Sequence, residues 1–197
     1  MRLITQRGKP REYKDLDSGR EFYSISQVRK VMDDTFRHAK PAALEAARAR
    51  GNALHLRFAL ALGAKAGLCP YPEVNQFYPG QCRAMDTWVE RTDFEVFKIE
   101  EPAAWLAQHL AGTPENKLRI KGVGLAIVDL KTGGKTRTDV VQLMLNQKLA
   151  GFEDVTSLID LYVNESGTPD PVEQKFDPFA FAAAMSALNL LKWRLTR

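Results

Sequence analysis

A carboxylate and a lysine lie two positions apart at the end of the apolar run AIVDLK, residues 126–131. Side chains two apart on a β-strand project from the same face, so Asp129 and Lys131 should point the same way. On spacing alone an ion pair at a strand end explains them. The same two groups could also hold a divalent metal ion and position or deprotonate a water molecule.

A second acidic residue, Glu115, follows the turn AGTP at residues 111–114. A hairpin running from there through Leu118 to Ile120 and into residues 125–130 would bring Glu115 beside Asp129. Two carboxylates and a backbone carbonyl form an all-oxygen ligand set that suits Mg²⁺ or Mn²⁺. Together with a lysine, such a set is suited to hydrolysis of a phosphodiester.

The elements that must position these groups follow from periodicity and from Pro and Gly breaks. Residues 126–128 read as a central strand buried on both faces. Further strands are predicted over 94–99, 105–110, 118–120 and 155–163, with a loop at 164–175. Helices are predicted from a Ser24 or Ser26 cap to Asp34, and over 42–66, 81–91, 139–150 and 177–195.

The 197 residues, 45% hydrophobic and 26% charged, suffice for one folded domain. We expect residues 1–92 to be mostly helical and residues 93–197 to form the sheet core with closing helices. No stretch has the length of a membrane span and no apolar segment follows the basic start, so we expect a cytoplasmic protein without a membrane partner. Residues 1–60 carry 13 Lys and Arg against 7 Asp and Glu, which suits a polyanion or an ordinary solvated surface.

Several motifs together resemble the PD-(D/E)xK nuclease superfamily, in its RecB-like and phage-exonuclease branch. The matching segments are GTPE (112–115), DLKTG (129–133), the Gln142 helix, GNALH (51–55) and YSISQV (23–28), in the family's order. Two positions depart from the pattern, because Glu115 replaces an Asp and Asn146 replaces a Tyr. The resemblance implies an α/β restriction-endonuclease-like fold, with a mixed central sheet flanked by helices and a helical N-terminal portion.

The resemblance also implies a role for each matching residue. Glu115, Asp129, the Leu130 carbonyl and His55 would bind Mg²⁺ or Mn²⁺, Lys131 would orient the attacking water, and Gln142 would brace water or phosphate. By its own position between Leu54 and Leu56, His55 is more typical of a core or boundary histidine; with the other motifs present, a ligand role is an equal alternative. Glu100 is a further candidate ligand, although a solvated strand end is the simpler interpretation.

Lys135 and Arg137, expected to be exposed near the site, are candidates for contact with nucleic acid, and so is Arg57 in the basic N-terminal stretch. The segment GGKT (133–136) does not complete a phosphate-binding P-loop, because Asp129 occupies the position that requires glycine. Two cysteines, Cys69 and Cys82, exclude the four-cysteine iron–sulfur cluster of some family members, so we expect no cluster.

The expected function is a metal-dependent DNA nuclease, most simply a phage- or prophage-type exonuclease of recombination or repair. Alternatives are a structure-specific or restriction-type endonuclease with the same site, or a catalytically inactive nucleic-acid-binding module of the same fold. The expected partners are DNA and a single-strand annealing or recombination protein. An oligomer, including a ring, is compatible with this interpretation.

Overall fold

Two five-stranded sheets and five α-helices make up the described part of the chain, residues 3–6, 12–33, 40–149, 151 and 154–195. These elements are taken from a computed structural model. The predicted helix end at Asp34 and the residue Ala150 lie outside the described residues. Among the described helices, none is long and apolar enough to cross a membrane.

The central sheet has the strand order β10-β9-β8-β7-β4. Its middle strand β8 (Gly124–Lys131) pairs antiparallel with β7 (Asn116–Ile120) and parallel with β9 (Ser157–Tyr162). The edges are β4 (Phe94–Lys98) and β10 (Asp170–Gln174), both antiparallel to their neighbours. Parallel and antiparallel pairs therefore meet at β8, as predicted for a mixed central sheet.

Helices cover both faces of this sheet. Ala126, Val128 and Leu130 of β8 belong to a buried cluster with α2 (Pro41–Lys65) and α3 (Pro79–Arg91). Alternate side chains of a strand point to opposite faces, so burial on both faces explains why residues 126–128 are apolar without interruption.

The opposite face of the sheet carries three helices. They are α1 (Ile25–Met32), α4 (Asp139–Leu149) and α5 (Pro178–Leu195), which share a second buried cluster with Ile127. The predicted cap of α1 is present, because Ser24 and Gln27 each bond the other's backbone N–H.

The second sheet lies outside the predicted architecture. Its order is β1 (Leu3–Gln6), β2 (Glu12–Asp15), β3 (Glu21–Ser24), β6 (Leu110–Gly112) and β5 (Ala103–Trp105). Three of its strands come from the first 24 residues, so the prediction that residues 1–92 are mostly helical is wrong there. Each of these three strands has only four residues, and the parallel pairing of β3 with β6 joins residues far apart in sequence.

Two further predictions need correction. The strand expected over residues 105–110 is divided by a 3-10 turn, Leu106–Gln108, followed by His109 at φ +52°. The loop expected at 164–175 contains β10, which pairs with β9. As an edge strand β10 buries little, so it has no clear apolar alternation.

Candidate metal centre and polar network

The β7–β8 hairpin forms one wall of the candidate site, as predicted. Its pairing joins Asn116 to Val128 and stops there, so Glu115 lies just before β7 at the level of Asp129. The two carboxyl groups are near enough for the Asp129 charge to contribute to the raised pKa of Glu115.

Helix α2 brings His55 to Glu115. An ideal Cβ on Gly51, one turn earlier, would lie 3.6 Å from Thr132 Oγ1, so α2 passes close to the end of β8. From there His55 Nδ1 lies 3.6 Å from Glu115 Oε2 and 3.4 Å from Glu100 Oε1. The motif-based placement of His55 near Glu115 agrees with this geometry.

Glu100 is a central member of the cluster and does not lie at a solvated strand end. Because β4 runs antiparallel to β7, the chain leaving β4 arrives where Glu115 enters β7. Glu100 has φ +38°, a conformation uncommon outside glycine. Had the pairing of β4 with β7 been predicted from the sequence, Glu100 would have been expected beside Glu115.

The ligand atoms of His55, Glu100 and Glu115 all lie within 4.8 Å of one another. Glu100 Oε1 and Glu115 Oε2, together with Asp129 Oδ1 nearby, are buried and accept no hydrogen bond from the described residues. An unpartnered buried acceptor costs roughly 1–3 kcal/mol. Oxygens of this kind fit a divalent cation, which would satisfy them, and the imidazole adds a nitrogen ligand.

The electrostatics of the cluster reflect this unbalanced charge. Burial, reinforced by Asp129, raises the pKa of Glu115 to about 7. Burial acts to lower the pKa of His55, but the carboxylates of Glu115 and Glu100 outweigh it and raise that pKa to about 10. A protonated His55 therefore supplies positive charge when no metal ion is bound.

Asp129 and Lys131 project from one face of β8, as the spacing predicts. Lys131 Nζ lies 2.6 Å from Asp129 Oδ2 and donates to Gln142 Oε1 at 2.9 Å. Burial acts to lower the pKa of Lys131, but three aspartates, beginning with Asp129, raise it above its ordinary value. Lys131 is thus a charged ammonium, suited to stabilising negative charge and unsuited to removing a proton from water.

The other two aspartates around Lys131 were not singled out from the sequence. Asp139 and Asp160 each lie 3.6 Å from Lys131 Nζ. Asp160 is paired in register with Asp129 on the parallel strand β9, and burial raises its pKa to about 6. Tyr162, two residues along β9, donates to Asp139 at 2.7 Å. The signal for Asp160 is its place in the apolar strand SLIDLY, equivalent to Asp129 in β8.

The predicted ligand role of the Leu130 carbonyl is compatible with the strand geometry. The Lys131 carbonyl accepts from Val163 N at 2.9 Å, on the β9 side. Carbonyls alternate along a strand, so that of Leu130 points to the β7 side. There the pairing has already ended at Asn116, and the next residue is Glu115.

The predicted nucleic-acid contacts separate into two groups. Lys135 and Arg137 are exposed on the segment between β8 and α4, with Lys135 bound to Asp170 at 2.9 Å. Arg57 is buried, and its guanidinium bonds both Asp86 oxygens at 2.8 and 3.0 Å. This prediction for Arg57 is wrong, because a buried guanidinium paired with a carboxylate is not available to a phosphate.

The sequence matches no model of a known protein family, and a search of curated proteins finds no significant match. The functional argument therefore rests on the residues of the site and on the motif resemblance.

Proposed function

We propose that the protein is a metal-dependent nuclease that hydrolyses phosphodiester bonds of DNA, acting as an exonuclease. The observation that carries this proposal is the meeting of His55, Glu100 and Glu115, with their unpartnered buried oxygens, beside Asp129 and Lys131. The order of the motifs along the chain supports the same conclusion.

The residues that would hold the divalent ion are His55, Glu100, Glu115 and Asp129, with the Leu130 carbonyl on the same side. A bound Mg²⁺ or Mn²⁺ supplies positive charge to the phosphoryl oxygens and lowers the pKa of a nearby water. The donor set gives no basis for an iron–sulfur cluster, which requires cysteine ligands.

The remaining residues act by position and charge. Lys131 holds its ammonium beside Asp129 and would stabilise the charge that develops on the phosphate. Gln142 accepts a hydrogen bond from Lys131 and thereby limits its movement. Lys135 and Arg137, exposed beyond the strand end, would contact backbone phosphates and contribute affinity without reading sequence.

The first test compares linear with covalently closed circular DNA in the presence of Mg²⁺, Mn²⁺ or a chelator. We expect metal-dependent loss of linear DNA only, reduced at least about a hundredfold by Lys131→Ala, in line with losses of electrostatic stabilisation in other enzymes. Lys121→Ala is the matched control, because Lys121 is 81% exposed and pairs only with the exposed Asp93 among the described residues. It should cleave like the native protein.

Each contrary outcome has a distinct meaning. Nicking of circles would replace the exonuclease with an endonuclease that uses the same site. Tight retention of DNA without any metal-dependent cleavage would replace the enzyme with a nucleic-acid-binding module. Full activity of Lys131→Ala would show that any nuclease activity arises elsewhere.

A further inference from the structure

We propose that Arg29 is a positioning residue that acts on Lys131 through Gln142. The inference rests on the proposed function, since it concerns how the same site is held in its working geometry. Arg29 Nη1 and Lys131 Nζ donate to one atom, Gln142 Oε1. Arg29 and Lys131 also share Asp139 Oδ1, at 3.1 and 3.6 Å.

Among the described residues, the hydrogen bonds of the Arg29 side chain go to one short stretch, residues 136–142, at the start of α4. Nε and Nη2 lie 3.2–3.3 Å from Thr138 Oγ1, and Nη2 lies 3.5 Å from Thr136 Oγ1. Arg29 therefore connects helix α1 to the segment that carries Asp139 and Gln142. Residues of two distant parts of the chain meet at a single side-chain amide.

The Arg29 guanidinium makes this link in spite of unfavourable electrostatics. The guanidinium stands at the start of α4, where the helix dipole repels positive charge. It also lies near the Lys131 ammonium, with which it shares both acceptors. The Asp139 carboxylate offsets this repulsion. The result of the arrangement is that the Gln142 oxygen is held from two sides, by Arg29 and by Lys131.

The amide of Gln142 has one acceptor oxygen and two N–H donors. Its oxygen receives both cations, and its nitrogen donates to no acceptor among the residues that the structure describes. A long side chain held by one bond retains much of its rotamer freedom, whereas donors from α1 and β8 together fix it. Without Arg29, Gln142 would hold Lys131 less firmly, and the ammonium could shift toward Asp160 or Asp139.

The test is a double-mutant cycle on kcat for linear DNA, using Arg29→Met, Gln142→Ala and the double variant. We expect each single change to lower kcat about tenfold with KM nearly unchanged, and the double variant to lose no more than one single change, because both act through one contact. Lys30→Ala is the control, as it removes a charge from the same helix at an exposed position. Independent, multiplying losses would overturn the proposal.

A second readout separates this inference from the proposed function. The side-chain amide signals of Gln142 in a ¹⁵N NMR spectrum should shift or broaden in Arg29→Met and in Arg29→Lys, since lysine lacks the planar fork. They should remain unchanged in Lys30→Ala. Unchanged Gln142 signals in a folded Arg29 variant would overturn the inference whether or not DNA is cleaved, whereas full cleavage by Lys131→Ala would overturn the function instead.

Discussion

At the scale of single residues, the site is an excess of buried negative charge that the protein does not neutralise by itself. Glu100, Glu115 and Asp129 each keep one buried oxygen without a hydrogen-bond donor among the described residues. His55 and Lys131 supply the positive charges beside them. Such an arrangement favours whatever adds a cation to the cluster.

Glu115→Gln tests whether the cluster binds a cation. The substitution keeps the side-chain shape but removes the charge that a cation would need. In the native protein, Mn²⁺ at a hundred times its dissociation constant should stabilise the fold by about 2.7 kcal/mol, because it binds only the folded state. We expect the Mn²⁺-dependent rise in Tm to be largely lost in Glu115→Gln.

Glu101→Gln is the matched control, since Glu101 follows Glu100 directly and its carboxylate is 62% exposed and bound to Lys98. It should respond to Mn²⁺ like the native protein. An undiminished rise in Tm for Glu115→Gln would place any metal ion away from this cluster.

At the scale of elements, two helical glycines have opposite requirements. A Cβ on Gly80, in the first turn of α3, would lie 2.2 Å from the backbone oxygen of Glu165, which cannot move aside cheaply. Gly51, inside α2, has only an ordinary contact at 3.6 Å. Gly80→Ala should therefore destabilise the protein by about 1–3 kcal/mol or more. Gly51→Ala should stabilise it by roughly 0.5–1 kcal/mol, because alanine favours the helix.

Chemical denaturation of both variants checks this pair. A decrease in the free energy of unfolding for Gly80→Ala beside an increase for Gly51→Ala is the expected result. Equal effects of the two changes would mean that α3 does not pack against residue 165 as closely as the structure has it.

The helices and strands differ in how far the sequence alone could predict them. Strand β8, helices α2 to α5 and the β7–β8 hairpin were predictable because each carries a strong apolar period or a Pro or Gly boundary. The strands of the first 24 residues were not, because each has only four residues, which is too short for a period to stand out. In addition, the parallel pairing of β3 with β6 joins segments far apart in sequence, and such pairing leaves no local pattern.

The residues of the candidate site also differ in whether the sequence alone could predict them. Asp129, Lys131 and Glu115 could be predicted because one hairpin holds them all. Glu100 and Arg29 were underestimated or missed, because β4 and α1 bring them to the site only through tertiary packing. Arg57 was misassigned because a basic residue in a sequence does not reveal the carboxylate that pairs with it in the fold.

At the scale of the whole molecule, the buried site should make stability depend on pH. Burial raises the pKa of Glu115 from 4.5 to about 7 and that of Asp160 from 3.8 to about 6, while the carboxylates raise that of His55 from 6.5 to about 10. In all three cases the folded state binds the proton more tightly than the unfolded state. Each group contributes its full stabilisation below its pKa in the unfolded state. That stabilisation is lost as the pH rises through its pKa in the folded state.

The metal-free protein should therefore lose stability steadily between pH 5 and pH 9, because in this range the folded state holds protons on Asp160, Glu115 and His55 that the unfolded state has lost. Asp139, whose pKa is lowered by Lys131 in spite of its burial, acts in the opposite sense only below this range. Mn²⁺ should stabilise the protein more at pH 9 than at pH 5, because it competes with the protons on Glu115 and His55.

Thermal unfolding with chelator and with Mn²⁺, at pH 5, 7 and 9, measures both slopes. His55→Gln should flatten the decline above pH 7, where the unfolded chain has lost the His55 proton and the folded state still holds it. His109→Asn should leave it unchanged, because His109 is exposed and asparagine tolerates its left-handed backbone. A metal-free protein whose Tm rises from pH 5 to pH 9 would contradict the raised pKa values, and with them the conclusion that burial outweighs the nearby positive charges at Glu115 and Asp160.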